Sequence, residues 1–122
     1  MAKRKALYKS FKHEGGFVGI PRRVFNSDEY RTLSIKARCL LDELQNICHN
    51  HNNGRLVFSN EQASQRLNIT RKYIGHAFNE LQDAGFIECM TLACHRTGKA
   101  REWRLTFQPC NGHEPTDEWR KK

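Results

Sequence analysis

The stretch SNEQASQRLNITRKYIGHAFNELQDAG, residues 59–85, decides how the chain folds. Ser59 followed by Gln62 has the form of a capping box, in which each side chain satisfies an orphan backbone N–H of the other. Ala63 and Leu67 then share one helical face. Asn68-Ile69 makes a turn, and Thr70 is placed to cap a second helix. Ile74, Ala77, Phe78 and Leu81 recur at three- and four-residue steps, which gives that helix one buried stripe. Gly85 supplies the stop, because glycine adopts the left-handed conformation that helix ends favour.

Upstream of this stretch, Ser34 is a good N-cap. Ala37, Leu40, Leu41, Leu44, Ile47 and Cys48 follow at helical spacing, so a long helix with one apolar face is expected. His49 to Gly54 reads as a polar turn. Arg55-Leu56-Val57-Phe58 is too short for a helix and rich in strand formers, so a short strand is expected. Phe17-Val18-Gly19-Ile20 reads as extended, since the residue before Pro21 disfavours helix. Pro21 opens a short helical segment anchored by Val24, Phe25 and Tyr30. Asn26-Ser27-Asp28 interrupts it, which suggests two short helices.

Downstream, the period changes from helical to alternating. Phe86 to Leu92 is one expected strand. Trp103, Leu105 and Phe107 alternate with Glu102, Arg104 and Thr106, the pattern of a half-buried strand. Cys94 to Arg101, polar and basic with Gly98, suits a hairpin tip between them. Residues 1–16 read as a flexible basic arm carrying Lys3, Arg4, Lys5, Lys9 and Lys12. Residues 17–107 read as the folded domain. Residues 108–122 read as a tail, punctuated by Pro109, Gly112 and Pro115 and closed by Arg120-Lys121-Lys122.

The 122 residues amount to about one domain. Lys+Arg number 21 against 13 Asp+Glu, a formal charge of +8. That balance favours a polyanionic partner, nucleic acid before membrane. No apolar run approaches the roughly 20 residues of a membrane helix. The basic start Met1-Ala2-Lys3-Arg4-Lys5 is not followed by an apolar segment, which argues against a secretory signal. The five cysteines have no framework spacing, so reduced thiols in a cytoplasmic protein are expected.

The expected order is helix, short strand, helix, turn, helix, strand, basic loop, strand: mainly α with a small antiparallel β-hairpin, an α+β class. The short turn between the last two helices has helix-turn-helix spacing. On that order, residues 17–107 resemble the winged helix-turn-helix domains of small proteins carried by proteobacterial phages, plasmids and integrative elements. The resemblance rests on Phe17-Val18-Gly19-Ile20-Pro21, Leu33-Ser34 with Ala37-Arg38, Asn53-Gly54-Arg55 and Ser59 to Ile69. Glu80-Leu81 with Ala84-Gly85-Phe86-Ile87, and Glu102-Trp103-Arg104-Leu105, complete it. It implies sequence-specific binding of double-stranded DNA, with transcriptional regulation of a mobile element as the first role. A replication or partition factor acting at origin repeats is the second role. A protein adaptor with a basic face changes the class. RNA binding ranks below these, because no aromatic stacking platform is apparent.

With Ile74, Ala77, Phe78 and Leu81 facing the core, Lys72, Gly75, His76 and Asn79 point away, and Thr70, Arg71 and Tyr73 lie at the first turn. A recognition helix leads into the major groove with its N-terminal residues. Arg71 or Lys72 would donate to guanine, and Asn79 would pair with adenine. His76 would donate to a base or a phosphate. Gly75 costs helix stability but lets a sugar-phosphate backbone come close. Any amphipathic helix has a solvated face; this one differs in having no acid from residue 70 to residue 79.

His95, Arg96, Lys99 and Arg101 in the basic loop would reach phosphates or a flanking minor groove, with Arg96 the residue for insertion. Lys3, Arg4 and Lys5 of the arm would add phosphate contacts without sequence information. Arg22 and Arg23 are candidates for the same use. A homodimer on paired half-sites is left open, since no heptad marks a dimer helix. Nucleoid association would follow from DNA binding.

Catalysis has no support in the sequence: there is no phosphate-binding glycine loop, nucleophile elbow or metal-histidine helix motif. No cofactor is expected. Cys48, His49 and His51, Cys94-His95, and Cys110 with His113 match no structural zinc spacing, so no metal site is assigned. A redox role for Cys94 is weighed only because basic neighbours lower a thiol's pKa. Trp103 is expected in the core, and Trp119 on a partner or on the domain itself.

Overall fold

A computed structural model describes residues 17–49, 51–91, 101–110 and 112–121. The elements are α1 (Arg22–Phe25), α2 (Asp28–Arg31), α3 (Ile35–Ile47), β1 (Leu56–Val57), α4 (Asn60–Leu67), α5 (Arg71–Asp83), β2 (Ile87–Cys89) and β3 (Glu102–Leu105), followed by a 3-10 turn at Glu118–Lys121. The three strands form one antiparallel sheet in the order β1-β3-β2. The protein is thus of mixed class, helices packed on a small antiparallel sheet. Among the described residues no helix is long and apolar enough to cross a membrane.

Local chemistry accounts for the helix starts. Ser34 caps α3 by accepting from the Ala37 N–H. Ser59 and Gln62 close the capping box of α4 reciprocally. Asn68 then turns the chain in the left-handed region, at φ 55°. Thr70 precedes α5 in extended geometry, but its side chain makes no capping hydrogen bond. That first turn is therefore held by packing rather than by a cap. Gly85 takes φ +87° as expected, and a second reason for glycine appears there. A Cβ at that position would lie 2.9 Å from the backbone of Glu118 and Trp119.

Both α3 and α4 pack on α5, and α5 packs on the sheet. Leu40, Leu41, Leu44, Ile74, Leu81, Phe86, Trp103 and Leu105 are fully buried, as the periodicity predicts. Burying a side chain of this size is worth about 1.5–3 kcal/mol each. Phe78 stacks on Trp103 with ring centroids 5.2 Å apart, which joins α5 to the middle strand.

The structure departs from expectation at β3 and after it. The alternation of residues 102–107 predicts one solvated face, yet Arg104 and Thr106 are buried as well. Residues 108–122 are not a tail beyond the domain where they are described, because this segment covers the second face of the sheet. Thr116 and Asp117 both donate backbone N–H groups to the Thr106 carbonyl. Trp119 is buried and stacks on Phe86 at 5.7 Å. Arg104 donates to Glu88 at 2.8 Å, Thr116 at 2.8 Å and Glu118 at 2.6 Å. Arg23 reaches Asp117 at 2.7 Å and the Phe107 carbonyl at 3.0 Å, so it serves the fold. β2 is also shorter than the expected Phe86–Leu92 strand, ending at Cys89.

Asn53 anchors the C-terminal end of β3 from the β1 side. It is buried, its Oδ1 accepts from the Leu105 N–H, and its Nδ2 donates to the carbonyls of Leu105, Gln108 and Pro109. Asn53→Ala strands these backbone groups in a dry site. It should cost about 3 kcal/mol, read as a lower urea midpoint with unchanged slope.

Glu118 gives a pH signature. Burial pushes its carboxyl up, but the Thr116 hydroxyl and the Arg104 guanidinium together hold it below the usual glutamate range. A carboxylate lowered by folding adds stability above its unfolded pKa, and that stability is lost as pH falls through the folded value. Glu118→Gln should be less stable by about 1 kcal/mol near neutral pH, or about 4 °C in Tm. Wild type and variant should converge as pH falls through the lowered folded value of this carboxyl, in thermal melts run across the acid range.

Candidate nucleic-acid interface

The outward face of α5 brings together the residues predicted from sequence. Thr70, Arg71, Lys72, Tyr73, His76 and Asn79 are all exposed. They share a surface because Ile74, Ala77, Phe78 and Leu81 turn the opposite side into the core. The first turn of α5 carries no acid. His95, Arg96 and Lys99, and Lys3, Arg4 and Lys5, lie outside the described residues.

Each flank of this face is shaped by a neighbouring helix. On the α3 side, Lys36 sets its ammonium 4.3 Å from the centre of the half-exposed Tyr73 ring, and His76 meets that ring edge-on at 6.0 Å. Ser34 donates its N–H and its hydroxyl to the two Glu80 carboxylate oxygens, each at 2.7 Å. This clamp fixes the angle between α3 and α5. It also directs the negative charge of Glu80 toward α3. On the α4 side, Arg71 pairs with Glu61 at 3.2 Å, and both side chains are well exposed. Such a pair is worth at most about 1 kcal/mol in water, so Arg71 is readily released to a stronger anionic partner.

Charge divides along α5. Lys36, Arg71 and Lys72 surround its first two turns. An open groove of about 570 Å³ lies between α2 and α5, lined by Glu29, Leu33, His76, Asn79 and Asp83 among others. Positive charge is thus concentrated at the first turns of the helix and negative charge at its end, by Asp83 and Glu29.

Arg101 has a different place from the other candidates. Its guanidinium lies 5.3 Å from the Phe78 ring centre and 5.1 Å from that of Trp103, and donates to Asn60 Oδ1 at 2.9 Å. Half-buried against two core aromatics, it joins β3 to the first residue of α4. Sequence reasoning missed Lys36 and Asn60 as members of this surface. Lys36 was legible only as the second residue of α3, and Asn60 only as the residue after a cap.

Other candidates are placed apart. Cys39, Cys48, Cys89 and Cys110 are free thiols. Burial pushes the Cys48 thiol up, with Cys110 adding to it. Among the described residues no three His, Cys, Asp or Glu side chains converge as metal ligands.

Two substitutions separate surface from scaffold. Arg71→Ala should leave the urea midpoint within about 0.5 kcal/mol of wild type, as an exposed site does. Arg101→Ala should lower stability by about 1–2 kcal/mol, because two ring contacts and a hydrogen bond go with it. Comparison with protein-family models, curated proteins and solved structures finds no match to this chain.

Proposed function

We propose that this protein is a sequence-specific double-stranded DNA-binding protein of winged helix-turn-helix type, acting as a transcriptional regulator of a mobile element. The observation that carries the reading is the exposed, acid-free N-terminal half of α5, set on a short turn after α4 and flanked by Lys36. A helix of 13 residues is about 20 Å long, and the major groove admits it end-on or lengthwise. Arg71 and Lys72 donate to guanine, Asn79 pairs with adenine, and His76 donates to a base or a phosphate. Tyr73 and Thr70 line the edge of that contact. The carboxylates of Glu29 and Asp83, in the groove that His76 and Asn79 also line, keep the last turn of α5 clear of the duplex. The basic residues His95, Arg96 and Lys99 act on phosphates or a minor groove beside it, as do Lys3, Arg4 and Lys5. The role in regulation rests on the resemblance and on the adaptability of this fold to operators.

The test is a titration against a duplex selected from a random pool, beside scrambled duplex, at several salt concentrations. The expected specificity ratio is about 1,000 or more, collapsing in Arg71→Ala/Asn79→Ala. Affinity should fall steeply with salt as condensed counterions are released. Equal binding to both duplexes would reduce the surface to a general polyanion binder and reject base reading by α5.

A further inference from the structure

The seam between α4 and α5 contains a polar arrangement that the fold alone does not require. Asn60, the first residue of α4, accepts from Arg101 through Oδ1 at 2.9 Å. Arg101 is itself held against the Phe78 and Trp103 rings. Fixing the oxygen fixes the amide plane, so Nδ2 is presented on the other side. That side is α5 at Gly75. A methyl built at position 75 would lie 3.8 Å from Asn60 Nδ2, an ordinary contact, and Gly75 needs no left-handed backbone. Mid-helix glycine is nevertheless unfavourable relative to alanine. The position therefore gives up helix stability and places no side chain between α5 and the aimed amide donor. Nearby, Arg71 is paired with Glu61, which offsets the closest carboxylate.

We infer that Asn60, aimed by Arg101 and left accessible by Gly75, donates Nδ2 to a backbone phosphodiester oxygen of duplex DNA. This rests on the DNA-binding reading above and adds to it a contact that fixes register without reading sequence. Arg101 is then a positioning residue: it acts through Asn60 and does not itself touch the nucleic acid. Gly75 lets the sugar-phosphate backbone approach within hydrogen-bond reach of the seam.

The experiment uses the full chain, a random-sequence duplex and a selected duplex, with melting temperatures measured for every variant. Asn60→Asp keeps an oxygen for Arg101 and places an acid at the first helical position, where the helix dipole favours it. Its melting temperature should equal or exceed wild type. Its carboxylate nevertheless opposes a phosphate, so affinity should fall about tenfold or more on both duplexes alike. Gly75→Ala should also melt at or above wild type, and bind both duplexes several-fold more weakly.

Wild-type affinity in a well-folded Asn60→Asp would overturn the assignment. So would a loss confined to the selected duplex, which would mean a base contact. Competition by inorganic phosphate at constant ionic strength, lost in Asn60→Asp, would assign the seam to free phosphate instead of DNA. If the wild-type protein binds neither duplex, the DNA-binding reading fails first and this assignment falls with it. If wild type binds and Asn60→Asp matches it, only the seam assignment fails.

Discussion

The burial of β3 on both faces is the constraint on which the rest depends. One face carries Trp103 and Leu105 into the helical core, and the other carries Arg104 and Thr106 under the C-terminal segment. A strand covered on both sides carries inward polar groups that need partners, and most find them, although the Trp103 indole N–H has none among the described residues. That requirement explains the carboxylates and hydroxyl around Arg104, the carboxamide of Asn53 at Leu105, and the Thr106 hydroxyl on the Gly85 carbonyl. It also explains why Trp119 closes over Phe86. The Arg104 cluster alone is weak ground for stability, since desolvation offsets much of such a pair's attraction. Its contribution is to hold the 112–121 segment in one place while the apolar contacts supply the free energy.

The same strand positions α5. Trp103 stacks behind Phe78, Arg101 ties the approach to β3 to Asn60 of α4, and Ser34 grips Glu80 from α3. A helix held from three directions keeps its outward face rigid. A rigid face contributes to affinity by avoiding the cost of ordering side chains and backbone on binding.

The helical part of this architecture was legible because its signals are local. Ser34, Ser59 with Gln62, and Gly85 act within a few residues of themselves, and the stripes of α3 and α5 repeat often enough to be unmistakable. The outward face of α5 followed from the same stripe by elimination. What was not legible depends on contacts across long sequence separations. Arg104 and Thr106 looked outward by alternation, because nothing near them in sequence shows that residues 112–121 fold back. Pro109, Gly112 and Pro115 read as the end of order, whereas they shape the turns that return the chain. Asn53 looked like one more turn residue. Arg101 looked like part of a basic loop, because composition cannot show that two aromatic rings lie under its guanidinium.

The net charge of +8 invites the view that every cation serves a polyanion, and the partners of the arginines among the described residues argue otherwise. Arg23, Arg66 and Arg104 are bound to carboxylates contributed by distant segments. Arg31, Arg38, Arg101 and Arg120 lie over Phe25, Tyr30, Phe78 with Trp103, and Trp119. These arginines cover aromatic surface or close the fold, and withdrawing them to a ligand would cost stability. Lys36, Lys72 and Arg71 differ: the first rests on an exposed ring, the second stands in solvent and the third holds only a solvent-exposed partner. Their mutual repulsion in the free protein is relieved when an anion arrives, which adds to the differential between free and bound states. Under the proposed DNA-binding function, Lys36, Arg71 and Lys72 are the described cations that would carry the contact, where α3 and α5 begin. A count of phosphates neutralised, taken from the salt dependence of affinity, should reflect that subset and the basic segments flanking it rather than the formal charge of the chain.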